Sequence, residues 1–97
     1  MKNNVKTISI LIGNSDDKLS QKQWAEFVDN VEFWIKKFCS SIHFSGGSAN
    51  NLPWQNYCFV FEVEADKEIW IKANLAEIKI KYNQDSIAWI DGQTIFL

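Results

Sequence analysis

The sequence predicts an α+β protein of the ferredoxin-like class, with a βαββαβ order of elements, a mainly antiparallel sheet and two helices on one face. Three observations lead to this prediction. Short stretches of alternating apolar residues flank two long stretches of helical periodicity, a complete helix-start signal precedes the first helix, and the 97 residues contain no internal repeat or linker. We therefore expect one domain over residues 1–97, with a short additional strand at its C-terminal end.

The first strand is predicted over residues 5–12, because VKTISILI alternates apolar and polar side chains. The first helix follows the segment GNSDDKLSQKQW. Ser20 and Gln23 form an S-x-x-Q capping box in it, and Leu19 and Trp24 flank that box as a hydrophobic staple. The apolar stripe of this helix runs for about five turns. It comprises Trp24, Phe27, Val28, Val31, Trp34, Ile35 and Phe38.

Two more strands are predicted in the middle of the chain. SSIHFS is the second strand, with Ile42 and Phe44 directed inward. It leads into GGSANNLP, residues 46–53, whose composition indicates a mobile loop. WQNYCFVFEVE has the strongest strand pattern in the chain. One face of this third strand is expected to carry Tyr57, Phe59, Phe61 and Val63.

The second helix is expected to be capped by Asp66 and to reach about Tyr82. Its inward stripe is predicted to be Ile71, Leu75, Ile78 and Tyr82. A second stripe, which we call the outer helical stripe, comprises Ile69, Ala73, Ala76 and Ile80. The sequence leaves open whether this stripe belongs to the core or to an interface. SIAWI and TIFL are predicted to form a hairpin closed by Asp91 and Gly92.

Charge and residue usage exclude several classes of function. All ten basic residues are lysine, and the formal net charge is −2. Nucleic-acid-binding proteins use arginine for bidentate contacts with phosphates and guanine edges, so direct nucleic-acid binding is not expected. No stretch approaches the roughly 20 apolar residues of a membrane span. Cys39 and Cys58 lie far apart without a CxxC pattern, which favours two reduced thiols in a cytoplasmic protein.

The sequence offers little catalytic equipment. His43 is the only histidine, no third group is placed to orient a Cys–His pair, and the ligand spacing of a zinc site is absent. The pair Gly46-Gly47 lacks the lysine and the helix that follow a phosphate-binding loop. We therefore expect no enzyme, no catalytic residue, no metal, no cofactor and no small-molecule substrate. A small enzyme that uses Cys58 or His43 is the alternative.

A partner-binding surface is predicted around the first helix. Asp16 and Asp17 are adjacent in the turn before it. Glu26 and Asp29 are three residues apart on its solvent side, which places their Cβ atoms about 5–6 Å apart. Phe33 lies on the same side and is expected to act as an apolar anchor. The alternative is a solvated helix face whose acids favour the positive end of the helix dipole.

Three blocks of the sequence carry a resemblance: GNSDDKLSQKQW, WQNYCFVFEV and YNQDSIAWIDG. They resemble a group of small bacterial and prophage-encoded proteins of mostly unknown role. In length and general character the chain is also similar to the type I-F anti-CRISPR proteins that mimic DNA. This resemblance implies an inhibitor in the cytoplasm of a bacterial host cell. It would bind the type I-F CRISPR surveillance complex at the basic site of the large subunit that reads duplex DNA and its adjacent motif.

No motif of that class fixes contact residues, so the resemblance adds none to the five residues predicted from charge and position. The modest net charge of −2 requires any mimicry of DNA to be local to one face. The alternative function is a ferredoxin-like regulatory or ligand-binding module that acts as a homodimer. Such a module would use residues 46–53 or the outer helical stripe.

Overall fold

The chain forms a four-stranded antiparallel sheet and two helices. The computed structural model describes residues 4–48, 55–93, 95 and 97. The strands are β1 (Val5–Gly13), β2 (Ser41–Gly47), β3 (Asn56–Glu64) and β4 (Ala88–Gly92), and the helices are α1 (Gln21–Phe38) and α2 (Glu68–Lys81). The strands lie side by side in the order β2-β3-β1-β4, and each neighbouring pair is antiparallel. The predicted ferredoxin-like class is confirmed.

The core lies between the two helices and one face of the sheet, which we call the inner face. Alternation in β1 and β3 places their apolar side chains on this face, as predicted. The fully buried apolar side chains of the core include Ile8, Ile10, Phe27, Val31, Ile35, Phe59, Phe61, Val63 and Ile71. The two helices contact each other through Tyr82, whose ring centroid lies 5.2 Å from that of Phe27 and whose hydroxyl accepts a hydrogen bond from Asn30 Nδ2 at 2.6 Å.

The two helix starts differ from each other. The predicted capping box is confirmed: Ser20 Oγ accepts from the Gln23 backbone N–H at 3.2 Å, and Gln23 Oε1 accepts from the Ser20 backbone N–H at 2.9 Å. The predicted cap at Asp66 is wrong. Asp66 lies within a single 3-10 turn over Ala65–Lys67, and α2 begins only at Glu68, without a side-chain cap. The turn moves the helix start one residue beyond the position that an Asp66 cap requires.

The inward orientation predicted for Phe44 is also wrong. Ile42 packs against the core, but the register between β2 and β3 shifts between Ile42 and Phe44. One extra residue in one strand reverses the side on which the following side chains lie. Phe44 therefore lies opposite Val60 on the other side of the sheet and is 55% exposed.

The end of the chain does not follow the hairpin prediction. Asp91 and Gly92 lie inside β4, opposite Ile8 and Thr7 of β1, so the predicted turn at these residues is wrong. The favoured two-residue hairpin turn needs φ > 0 at its glycine, and Gly92 has no positive φ. Of the predicted strand TIFL, Thr94 and Phe96 lie outside the described residues, and Ile95 and Leu97 lie in no strand.

Two further predictions have clear outcomes. Gly46 and Gly47 belong to β2 instead of a loop, and residues 49–53 of the predicted loop lie outside the described residues. The outer helical stripe is exposed, with Ile69 at 67% and Ile80 at 75%, so it does not belong to the core. Within the described part of the chain, neither helix has the length and apolar content needed to cross a bilayer.

Candidate functional site

The predicted aspartate pair lies in the connection from β1 to α1. Ser15–Asp17 form a single 3-10 turn, in which both Asp16 and Asp17 are exposed and have φ of 53°. This left-handed conformation is unfavourable for residues with a side chain, by about 1–2 kcal/mol each. It persists only where the surrounding structure fixes the backbone. Contacts elsewhere in the turn therefore fix the backbone that carries both carboxylates.

Asn14 supplies most of those contacts. Its side chain is 2% exposed, its Oδ1 accepts from the Leu19 backbone N–H at 2.9 Å, and its Nδ2 donates to the Leu19 carbonyl at 3.1 Å. The same Nδ2 also donates to Asp17 Oδ1 at 3.3 Å. The Asn14 backbone N–H donates to the Gln55 carbonyl at 2.8 Å. These bonds close the segment between β1 and α1 into a fixed loop.

The connection from α2 to β4 supports the aspartate turn from the other side. Gln84 is 6% exposed, and its Oε1 accepts from the Ser15 backbone N–H at 2.8 Å. Lys18 Nζ donates to the Asn83 carbonyl at 3.2 Å and to Asp85 Oδ1 at 3.3 Å. The sequence blocks that begin at Gly13 and Tyr82 therefore meet in space.

Four of the predicted site residues carry carboxylates that form no ion pair with another residue that the structure describes. They are Asp16, Asp17, Glu26 and Asp29, and Asp66 and Glu77 elsewhere share this property. The ion pairs between described residues include Lys6–Glu68, Lys6–Asp91, Lys18–Asp85, Lys36–Glu32 and Lys72–Glu68. The negative charge at the β1–α1 turn and on α1 is thus available to a partner.

The structure does not merge the four carboxylates into one continuous acidic surface. Glu26 lines a cleft of about 310 Å³ together with Lys18 and Lys81. Asp29 lines a different cleft, together with Trp24 and others. A partner that contacts Glu26 would therefore also meet Lys18 and Lys81. A partner that contacts Asp29 would meet a different set of side chains.

Phe33 has the exposure predicted for an anchor. Its side chain is 56% exposed, and it follows Asp29 by one helical turn. The Phe33 ring packs edge-on against Trp34, with centroids 5.2 Å apart, and Lys37 Nζ lies 6.0 Å from its centroid. The ring therefore has a supported position at the surface.

A third cleft, between α2 and β4, was not predicted from the sequence. It has a volume of about 280 Å³ and apolar walls that include Leu75, Ile87 and Trp89, and Lys72 and Lys79 also line it. Lys72 Nζ lies 4.9 Å from the Trp89 ring centroid. The cleft forms where a helix and a strand pack together, and local sequence periodicity carries no signal for such packing.

Glu68 joins three elements beside this cleft. Its carboxylate forms ion pairs with Lys6 Nζ at 3.0 Å and with Lys72 Nζ at 3.1 Å. Lys6 Nζ also forms an ion pair with Asp91 of β4 at 3.0 Å. Burial acts to raise the pKa of Glu68, but hydrogen bonds from the two lysines outweigh it and hold the pKa below its ordinary value. The Glu68 carboxylate is therefore a structural charge that ties β1 to α2.

The remaining reactive side chains do not converge. Burial raises the pKa of the Cys39 thiol, which disfavours the reactive thiolate. His43 Nε2 lies 3.5 Å from Glu62 Oε1 at the surface. Residues 4–48 and 55–93 contain no group of three or more His, Cys, Asp or Glu side chains that could hold a metal ion.

Comparisons with known proteins add a structural likeness. No protein-family model matches the chain, and no curated protein matches it. The crystal structure of a DUF3240 family protein from Shewanella baltica is similar to it, with 16% identity and a TM-score of 0.48 over 100% of this chain and 99% of that one.

Proposed function

We propose that the protein is a non-catalytic inhibitor that binds the type I-F CRISPR surveillance complex in the cytoplasm of a bacterial host cell and blocks its access to target DNA. The observation that carries the proposal is the set of carboxylates at Asp16, Asp17, Glu26 and Asp29, none of which forms an ion pair with another residue that the structure describes. Sites that read duplex DNA present cationic side chains to phosphates, so exposed carboxylates can take the place of phosphates there.

The turn also favours binding because its shape is set before a partner arrives. Asn14 and Gln84 fix the backbone around Asp16 and Asp17. A surface that is already ordered loses less conformational entropy on binding. Phe33 supports the proposal as an apolar anchor one turn beyond Asp29, since aromatic residues contribute strongly at the centres of interfaces.

The test is competition between the protein and target DNA. A purified type I-F surveillance complex is incubated with the protein before labelled target duplex is added, and duplex binding is measured by gel shift. Wild type is expected to abolish duplex binding. Asp16→Asn with Asp17→Asn removes two charges but suits the left-handed backbone, because Asn tolerates that conformation. This variant is expected to need about tenfold more protein, which corresponds to about 1.4 kcal/mol.

The matched control is Asp66→Asn with Glu77→Gln. It changes the net charge by the same amount, at two other exposed carboxylates without ion pairs among the described residues. It is expected to inhibit like wild type. Normal duplex binding in the presence of wild type would contradict the proposed function, and an equal loss in both double variants would contradict the role of the aspartate turn.

A ligand-binding module is the second candidate, favoured by the cleft between α2 and β4. Apolar walls and the two ammonium groups of Lys72 and Lys79 suit a small anion with an apolar body. The fluorescent anion 1-anilinonaphthalene-8-sulfonate is a suitable probe. Lys79→Gln is expected to weaken its binding and Lys81→Gln, outside this cleft, is not. Equal binding by both variants would remove this candidate.

A further inference from the structure

The side of the sheet away from the helices has an apolar centre, where a solvated sheet face is ordinarily polar. We call this side the outer face and define it by Leu11, Phe44, Cys58, Val60 and Ile90. Leu11 is 46%, Phe44 55% and Ile90 48% exposed. Exposed apolar side chains that lie together on one surface indicate an interaction site.

The strand register brings these residues into two adjacent rows. One row crosses all four strands: Phe44 lies opposite Val60, Val60 opposite Ser9, and Ser9 opposite Ile90. Side chains paired directly across strands lie on the same side of a sheet. The next row consists of Gly46, Cys58, Leu11 and Ala88. Neither row contains a charged residue.

The bulge in β2 places Phe44, the largest side chain of the outer face, on this surface, and its ring lies flat against the sheet. The Phe44 ring lies over Gly46, where an added Cβ would be only 3.0 Å from Phe44 Cζ. Because Gly46 has no side chain, the ring lies along the sheet. The outer face is therefore a broad apolar surface, which suits contact with another flat surface.

We propose that the outer face is a homodimer interface, covered by the same face of a second copy of the chain. The strands have 9, 7, 9 and 5 residues. With a spacing of about 4.8 Å between strands and about 3.3 Å per residue, the whole sheet has a footprint of about 500 Å². This footprint has the two apolar rows at its centre and includes Glu62 and Thr7 in the row beyond them. Two copies would bury about 1,000 Å² in total, which is the lower limit for a specific interface.

The outer helical stripe is a poorer candidate for the same role. α2 has 14 residues, which gives a length of about 21 Å and, at a diameter of about 10 Å, a footprint of about 200 Å². Two such faces fall well short of a specific interface. The available area therefore favours the sheet over the helix as the dimer surface.

The charges around the outer face favour a second copy over an anionic partner. Its two rows contain no lysine, and Glu62 lies two residues beyond Val60 on the same side of β3. Phosphates of nucleic acids and anionic lipid headgroups would meet no cation in these rows. The two uncharged rows of one copy meet those of a second copy, related by a twofold axis, without repulsion between like charges, because Glu62 lies outside both rows.

This inference does not rest on the proposed function. The aspartate turn and the solvent side of α1 are separate from the outer face, so a dimer would carry two copies of the aspartate turn and of the α1 carboxylates. Inhibition of the surveillance complex and self-association can therefore fail independently of each other.

The test is the molar mass in solution, measured by light scattering during gel filtration at several protein concentrations. Wild type is expected at twice the chain mass of 11.3 kDa. Leu11→Lys places a charge in the centre of the interface and is expected at 11.3 kDa with an unchanged circular dichroism spectrum. Ile90→Lys, on the edge strand β4, provides a second variant that perturbs the fold less. Ile80→Lys, on the exposed side of α2, is the control and is expected to stay dimeric.

Each other outcome overturns the proposal. A wild type that is monomeric at every concentration shows that the outer face does not bind a second copy. A dimer that survives both Leu11→Lys and Ile90→Lys, or that Ile80→Lys dissociates, places the interface elsewhere. Folded Leu11→Lys monomers are also added to the competition assay, where retained inhibition separates self-association from the proposed function.

Discussion

The inner face of the sheet and the opposite, outer face are formed by the same four strands, but the helices cover only the inner face. On the inner face, Ile10 and Phe59 are fully buried beneath the helices, whereas Leu11 and Phe44 on the outer face remain about half exposed. Alternation in a strand assigns a side chain to a face and does not supply the element that covers it. The helices of this chain cover the inner face, and the apolar centre of the outer face is left exposed.

The largest contrast is expected between two phenylalanines on opposite faces. Phe59→Ala removes a fully buried ring from the core and is expected to lower the free energy of unfolding by about 3–5 kcal/mol. Phe44→Ala removes an exposed ring and is expected to lower it by less than about 1 kcal/mol in dilute, monomeric protein. Urea denaturation at low protein concentration measures both values. Equal losses would contradict the difference between the faces.

A smaller effect is expected from Asn14, a buried polar residue in the connection from β1 to α1. Asn14→Ala leaves the backbone N–H and carbonyl of Leu19 without their partner and is expected to lower the free energy of unfolding by about 2 kcal/mol. Asn74→Ala is the control, because Asn74 only donates to the Trp70 carbonyl on the surface of α2. Thermal denaturation compares the two variants. If Asn14→Ala were as stable as Asn74→Ala, Asn14 would not be what fixes the aspartate turn.

The smallest effect is expected at Glu68, the first residue of α2, which forms ion pairs with Lys6 and Lys72. Its pKa is held below the ordinary value of 4.5, so its ion pairs stabilise the fold above that pH. This contribution is lost as the pH falls through the lowered pKa. Glu68→Gln is expected to lower the free energy of unfolding by about 1 kcal/mol at neutral pH and to flatten its decline in acid.

Urea denaturation between neutral pH and acid measures this dependence. Glu77→Gln is the control, because Glu77 is exposed and forms no ion pair with the residues that the structure describes. It is expected to keep the wild-type pH profile. An unchanged profile in Glu68→Gln as well would show that the lysines do not stabilise the Glu68 carboxylate.

The start of α1 and the inner-face residues of β1 and β3 could be predicted from the sequence, because the patterns that specify them are local. Ser20 and Gln23 specify a helix start within four residues, and alternation assigns the faces of β1 and β3. Phe44 escaped this reasoning because one inserted residue reverses the alternation, and the pairing partner that reveals it lies in another strand. The same limit applies to the Asp91-Gly92 dipeptide, where pairing with β1 overrides the local preference for a turn.

The candidate site was predicted only in part for a related reason. The exposure of Asp16, Asp17 and Phe33 follows from local pattern. The supports of the aspartate turn, Asn14 and Gln84, are polar residues that are buried only because two distant connections meet. Their role depends on long-range contacts, which a single sequence does not reveal.

We propose above that the exposed carboxylates of Asp16, Asp17, Glu26 and Asp29 carry recognition of the surveillance complex. The most direct measurement is the Kd between the protein and that complex at low and high salt, for wild type and for Asp16→Asn with Asp17→Asn. Exposed charges are screened by salt, so the wild-type Kd is predicted to rise with salt and that of the variant to rise less steeply. A wild-type Kd that is insensitive to salt, or identical slopes for the two proteins, would contradict the claim.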